Sequence, residues 1–210
     1  MKRLFPFIAA LLYLLPQTVL AEVGDDGLHK QPWFHQSFLE LADDVQEAAD
    51  EGKFLVVLIE QAGCPYCREL HEVNFKRSEI TDYLNEHALV LQLDLWGARE
   101  VVGFDDEAME ERDWIQSHGI HFTPTTLIYT RNAEGAAKEV FRLPGYLKPF
   151  HYLSSLEYVV TGEYERNRFN GICKVNSPNW LNRALIPKFG NGVASKSTPI
   201  CNHSRVLFYF

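Results

Sequence analysis

Only four cysteines occur in the 210 residues, too few for the disulfide framework that holds a small secreted domain together. The fold must therefore rest on an apolar core, and 46% hydrophobic against 23% charged residues is the balance of a folded chain. Acidic residues are missing after Glu165. All 28 Asp and Glu lie at or before it, and residues 22–165 set 11 Lys and Arg against them, a net charge of −17. So acidic a body repels phosphate backbones, and no nucleic-acid partner is expected. Nor is there an uninterrupted apolar run of the ~18–20 residues that cross a bilayer. A length of 210 residues leaves room for one ordinary domain with extensions.

The chain opens on the basic Met1-Lys2-Arg3, runs apolar from Leu4 to Leu15, and reaches Val19-Leu20-Ala21. That is the order of a secretory signal peptide, residues 1–21, with cleavage near Ala21. Ala21 is followed directly by Glu22 rather than Cys, so lipoprotein processing is not expected. The mature chain is expected from Glu22 onward, in the periplasm, without stable membrane insertion after cleavage. Thiols in that compartment tend to be oxidised.

Residues 22–34 lack periodicity and read as a lead-in segment. Residues 35–165 read as one α/β domain. Phe38, Leu41, Ala42, Val45, Ala48 and Ala49 mark one helix face ending at Gly52. Phe54 to Ile59 is a continuous apolar run suited to a central strand covered on both faces. Helical character follows from Arg68 to Phe75, and Ser78 reads as the N-cap of a further helix to His87. Leu89 to Leu95 is the next strand, and the acidic stretch 97–113 reads as a helical insertion. Thr126–Tyr129 and Val140–Leu143 form a hairpin around Asn132–Gly135. Tyr152, Leu153, Leu156, Val159 and Val160 mark a closing helix. The order is α-β-α-β-α-β-β-α. Residues 166–210 hold seven bases, seven Asn and no acid, and read as an irregular tail of unknown role.

Chemistry is carried by Cys64-Pro65-Tyr66-Cys67, where the buried strand hands over to a helix. The spacing sets both sulfurs on one side of the first helical turn, close enough to pair. At the helix N-terminus, unpaired N–H groups and the dipole favour thiolate over thiol. Cys64 is thus the expected attacking group, and Cys67, one turn in, the resolving one. A zinc half-site would need another cysteine pair, but Cys173 and Cys201 stand alone. Haem attachment would need His after Cys67, where Arg68 stands. A purely structural disulfide closing so short a loop adds little stability. No metal and no cofactor beyond the redox-active disulfide is expected.

Strand-C-P-Y-C-helix, Thr123-Pro124 before a strand, and the terminal hairpin and helix resemble the thioredoxin superfamily. Glu60-Gln61-Ala62-Gly63-Cys64-Pro65-Tyr66-Cys67, Leu93-Asp94-Leu95-Trp96-Gly97 and Leu143-Pro144-Gly145-Tyr146 resemble its periplasmic SoxW-like thioredoxins, over roughly residues 35–165. The resemblance implies a thioredoxin fold with a central mixed β-sheet flanked by helices. It implies a cis Pro124, with Thr123 facing the cysteines and offering backbone groups to an extended substrate. Pro65, Tyr66, Thr123 and Pro124 are then the expected substrate-binding residues. It also implies a protein-disulfide reductase acting on periplasmic protein disulfides and fed by a membrane thiol-electron transporter, in sulfur oxidation or cytochrome c maturation. Cytoplasmic thioredoxins carry Gly-Pro between the cysteines and a buried Asp six positions before the first; here Pro65-Tyr66 and Leu58 stand there. Glu60 is the candidate proton acceptor for Cys67, against the simpler reading of a solvated strand-end carboxylate. Pro-Tyr is also the glutaredoxin insert, but no Gly-Gly-Asp-like glutathione site follows Pro124.

Other residues are expected to be unremarkable. His71 reads as an exposed helix residue, and His118 and His121 as loop residues. The run Asp105, Asp106, Glu107, Glu110, Glu111, Asp113 lacks the spacing of a calcium loop and reads as a solvated helix face. Trp96 and Trp114 are expected to bury the insertion. Two further functions stay open: a disulfide oxidase or isomerase, and a redox-inert module binding extended peptides along Thr123-Pro124. Intact mass of the exported protein is expected to place its first residue at Glu22; a membrane-extracted form that retains residues 1–21 would mark an anchor instead.

Overall fold

The computed structural model describes residues 22–166. Residues 1–21, where the signal peptide is expected, and residues 167–210, with Cys173 and Cys201, lie outside the described residues. No described helix is long and apolar enough to cross a membrane.

The segment expected to be a featureless lead-in is a small antiparallel hairpin, β1 (Glu22–Val23) and β2 (His29–Lys30). Its Asp26 carboxylate accepts the Leu28 N–H at 3.0 Å and the Lys30 ammonium at 2.6 Å, closing the turn. Leu28 and Phe34 are buried. Helix α1 (Leu41–Asp50) follows, with Leu41, Val45 and Ala48 inward at i, i+4, i+7. Asp43 and Asp44 in its first turn suit the positive end of the dipole. Phe38 was expected on this helix face. Instead it lies before the helix and is 96% exposed, because Leu39 adopts φ 65° and redirects the chain.

Next come β3 (Phe54–Glu60), α2 (Pro65–Glu69, continued by a π-helical turn over Leu70–Asn74) and α3 (Ser78–His87). Ser78 is the first residue of α3 rather than its cap, which is Arg77. Strand β4 (Ala88–Asp94) precedes an antiparallel pair, β5 (Glu100–Val102) and β6 (Ala108–Glu110), then α4 (Glu111–Ser117). The chain closes with β7 (Thr125–Arg131), β8 (Ala137–Pro144), α5 (Pro149–Val160) and α6 (Glu163–Arg166).

The main sheet has the order β4-β3-β7-β8, with β3 parallel to β4 and β7 antiparallel to β3 and β8. This is the mixed sheet flanked by helices that the thioredoxin fold requires. β3 is central, which explains its unbroken apolar run: each face meets its own layer. Leu55, Val57 and Ile59 pack with α1, Trp114 and Ile115 of α4. Val56 and Leu58 pack with Leu70, α3 and α5.

The acidic insertion is only partly helical, and its acids are not uniformly solvated. Glu111 is 1% exposed. Its carboxylate accepts the Asp94 N–H at 3.0 Å, the Arg99 Nε–H at 3.0 Å and the Arg99 Nη2–H at 2.7 Å. One buried anion thus latches the insertion to the end of β4. Gly97 is required there, since a Cβ would lie 1.9 Å from Glu111 Oε1. Trp114 is buried as expected and His118 stacks on it at 4.0 Å, but Trp96 is 64% exposed. Glu111→Ala is expected to cost about 3 kcal/mol in urea unfolding, because it strands buried N–H donors. Gly97→Ala should destabilise through displacement of the same carboxylate; unfolding midpoints unchanged in both variants would refute the latch.

Candidate active site

β3 ends at Glu60, and after Gln61 and Ala62 the turn at Gly63 (φ 72°) delivers Cys64 to the start of α2. Cys64 is the N-cap, with extended φ −74° and ψ 114°, and Pro65 takes the first helical position. There a missing N–H costs nothing and its fixed φ suits the helix. Cys64 Sγ accepts the Cys67 N–H at 3.0 Å, so the sulfur itself caps the helix. The Thr123 hydroxyl donates to the same sulfur at 3.4 Å. The Cys64–Cys67 disulfide is formed, with the Cα atoms 5.3 Å apart and Cys67 buried. Both donors favour charge on Cys64 in the dithiol form. That is the arrangement for nucleophilic attack by Cys64 and resolution by Cys67.

Thr123-Pro124 is a cis peptide, as the resemblance implies, and it lies across from the cysteines. Pro124 is buried, and its carbonyl accepts the Gly145 N–H at 2.7 Å. Thus Leu143-Pro144-Gly145-Tyr146 braces the loop that faces Cys64. Tyr146 donates to the buried Asn74 of α2 at 3.1 Å and stacks on the half-exposed Tyr66, rings 6.3 Å apart and 16° from parallel. Burial and the nearby Glu69 push the Tyr146 hydroxyl up to about 12. Exposed Trp96 donates from its indole to Gln61 at 3.1 Å, and Phe122 is exposed beside Thr123. Aromatic residues of four segments thus lie on or beside residues that flank the cysteines or the loop facing them.

Two expectations fail beneath the cysteines. Glu60 is not a solvated strand end and His71 is not an exposed helix residue. They are 1% and 0% exposed, and His71 Nε2 lies 2.9 Å from Glu60 Oε2. Gln92 of β4 donates to the same oxygen at 2.5 Å. The Gln31 amide nitrogen lies 3.0 Å from His71 Nδ1, on the side of the ring away from Glu60. Phe34 and Phe75 wall the imidazole edge-on at 5.7 and 5.1 Å. His29 is held below the usual histidine range by burial and by His71. Periodicity offered the missed signal. Glu60 shares the face of Val56 and Leu58 at period two, and His71 follows Cys67 by four on the face of Leu70 and Asn74. No group of three or more metal-ligating side chains occurs among the described residues.

The chain belongs to the thioredoxin-like domain family, whose model matches residues 41–160. No curated protein matches it. Similar solved structures include a thioredoxin-fold protein from Helicobacter pylori, 22% identical over 62% of this chain and 86% of that one, TM-score 0.49. A thioredoxin from Thermus thermophilus is 20% identical over 61% and 94%, TM-score 0.47. The periplasmic thioredoxin SoxS from Paracoccus pantotrophus is 20% identical over 53% and 99%, TM-score 0.34. The chain is therefore a thioredoxin-like protein bearing a Cys-x-x-Cys pair at the position for thiol–disulfide exchange. Thr123→Ala should remove one donor to Cys64 and move the pH midpoint of its alkylation upward by about one unit, the equivalent of 1.36 kcal/mol. An unmoved midpoint would deny Thr123 any part in thiolate stabilisation.

Proposed function

We propose that the protein is an exported thiol–disulfide oxidoreductase that reduces protein disulfides in the periplasm. The observation that carries this reading is Cys64 Sγ, held as the helix cap by the Cys67 N–H and faced by the Thr123 hydroxyl, with Cys67 buried behind it. In the dithiol form Cys64 attacks a client disulfide and joins one client sulfur. Cys67 then displaces that sulfur, so the client gains two electrons and the active-site disulfide forms. Pro65, Tyr66, Thr123 and Pro124 border the approaching client, whose extended segment pairs with the backbone at Thr123 as an added strand.

The SoxW-like sequence motifs support clients in sulfur oxidation or cytochrome c maturation, and a membrane thiol-electron transporter as the source of reductant. The signal-peptide pattern of residues 1–21 supports the compartment. The reduction potential of the Cys64–Cys67 pair in the chain from Glu22, with Cys173→Ser and Cys201→Ser, tests the direction. A value near about −270 mV is expected of a reductase, whereas one near about −120 mV would mark an oxidase and reverse the flow. A pair that forms no reversible disulfide would leave only the peptide-binding module.

A further inference from the structure

Helices α3 and α5 cover one face of the main sheet, yet their C-terminal ends leave a groove of about 230 Å³ between them. Tyr83, Leu84 and His87 of α3 form one wall, Leu156, Val159 and Val160 of α5 the other, and β3 and β7 supply the floor. Apart from the Tyr83 hydroxyl and the His87 imidazole the lining is apolar. Tyr83, His87 and Val160 are only half-buried at the mouth, where the Tyr83 and His87 rings meet at 4.5 Å. Apolar surface of this kind gains from being covered.

Charge and chain path together name the cover. α3 carries Glu79, Asp82 and Glu86, α5 carries Glu157, and neither helix has a Lys or Arg. Burial and the carboxylates of Glu157 and Glu86 hold the Tyr83 hydroxyl above the usual tyrosine range, so both acids stand beside the groove. A fitting occupant is therefore basic as well as apolar. Val160, in the wall, is the last residue of α5; α6 follows it directly, and its Tyr164 packs against the same apolar layer. Residues 167–210 thus begin close to the groove. They hold six Lys and Arg and no Asp or Glu, and their longest apolar run, Val206-Leu207-Phe208-Tyr209-Phe210, follows Arg205.

We propose that Val206–Phe210 of the same chain docks in the α3–α5 groove, an aromatic ring between Tyr83 and Val160 and the preceding bases against the acids of the two helices. Reach is ample. Forty residues separate Arg166 from Val206, at up to about 3.3 Å each, whereas α5 is about 18 Å long. A segment tethered in this way meets its site at an effective concentration on the order of millimolar, so even a weak contact is occupied. The competing apolar surface is the set of exposed rings near the disulfide, Tyr66, Trp96 and Phe122. It lies at the other end of β3, which starts at the groove with Phe54 and ends near the cysteines with Glu60. The docked tail therefore leaves the Cys64–Cys67 end open.

The chain from Glu22 to Phe210 carrying Phe208→benzoylphenylalanine tests this. Isotope-labelled and unlabelled copies are mixed, irradiated and digested. Residue 208 is expected to link to peptides holding Tyr83–His87 or Leu156–Val160 of its own copy, about tenfold above any other peptide. Links between labelled and unlabelled copies would seat a second copy in the groove, and links to Tyr66, Trp96 or Phe122 would put the tail at the disulfide. Either result overturns the proposal, as does the absence of links. Asp82→Lys combined with Glu86→Lys, both exposed, should cut the link about tenfold, and about 1 M NaCl should lower it in the unsubstituted groove. A yield indifferent to both refutes the basic occupant. Independently, Phe208→Asp in the otherwise unsubstituted chain should speed amide hydrogen exchange at the C-terminal ends of α3 and α5 about tenfold; unchanged exchange is equally fatal.

Discussion

A carboxylate with almost no access to water sits at the end of the central strand, and four stretches of chain must meet for it to be tolerated. Glu60 comes from β3, His71 from α2, Gln92 from β4, and the hairpin closes over them through Gln31, His29 and Lys30. An unpaired buried charge costs several kcal/mol, and breaking a buried pair by removing one partner typically costs about 3–5 kcal/mol. The hairpin therefore cannot detach without exposing or stranding this network.

A second buried anion does comparable work on the other side of the strand ends. Glu111 binds the β5–β6 insertion to β4, and the main chain reinforces the junction where Leu95 N–H bonds the Glu60 carbonyl at 2.8 Å. Trp96 is turned outward, its indole donating to Gln61 three residues before Cys64. The segments Leu93–Gly97 and Leu143–Tyr146 thus brace the site from two sides, one through Gln61 and Glu60, the other through Pro124 and Asn74.

Most of the scaffold was legible from local pattern. The run Phe54–Ile59 suited a strand covered on both faces, and Cys64 after Gly63 stood where that strand hands over to a helix. Asn132–Gly135 marked its hairpin, and Tyr152, Leu156 and Val159 marked the inward face of α5. The failures share one cause. Hairpin β1–β2, the burial of Glu60, His71 and Glu111, and the exposure of Trp96 and Phe38 depend on partners far away in sequence. His71 meets Gln31 across 40 residues, and Gln92 meets Glu60 across 32.

The sequence by itself determined the strands and helices of the main sheet layers and the place of the Cys64–Cys67 pair at a helix start, because apolar period, capping and turn chemistry act over a few residues. Only the tertiary structure decided which polar side chains go inside. Whether a carboxylate or an imidazole can be buried depends on the donors and acceptors that meet it there. Those arrive when separate segments pack, and no spacing along the chain announces them.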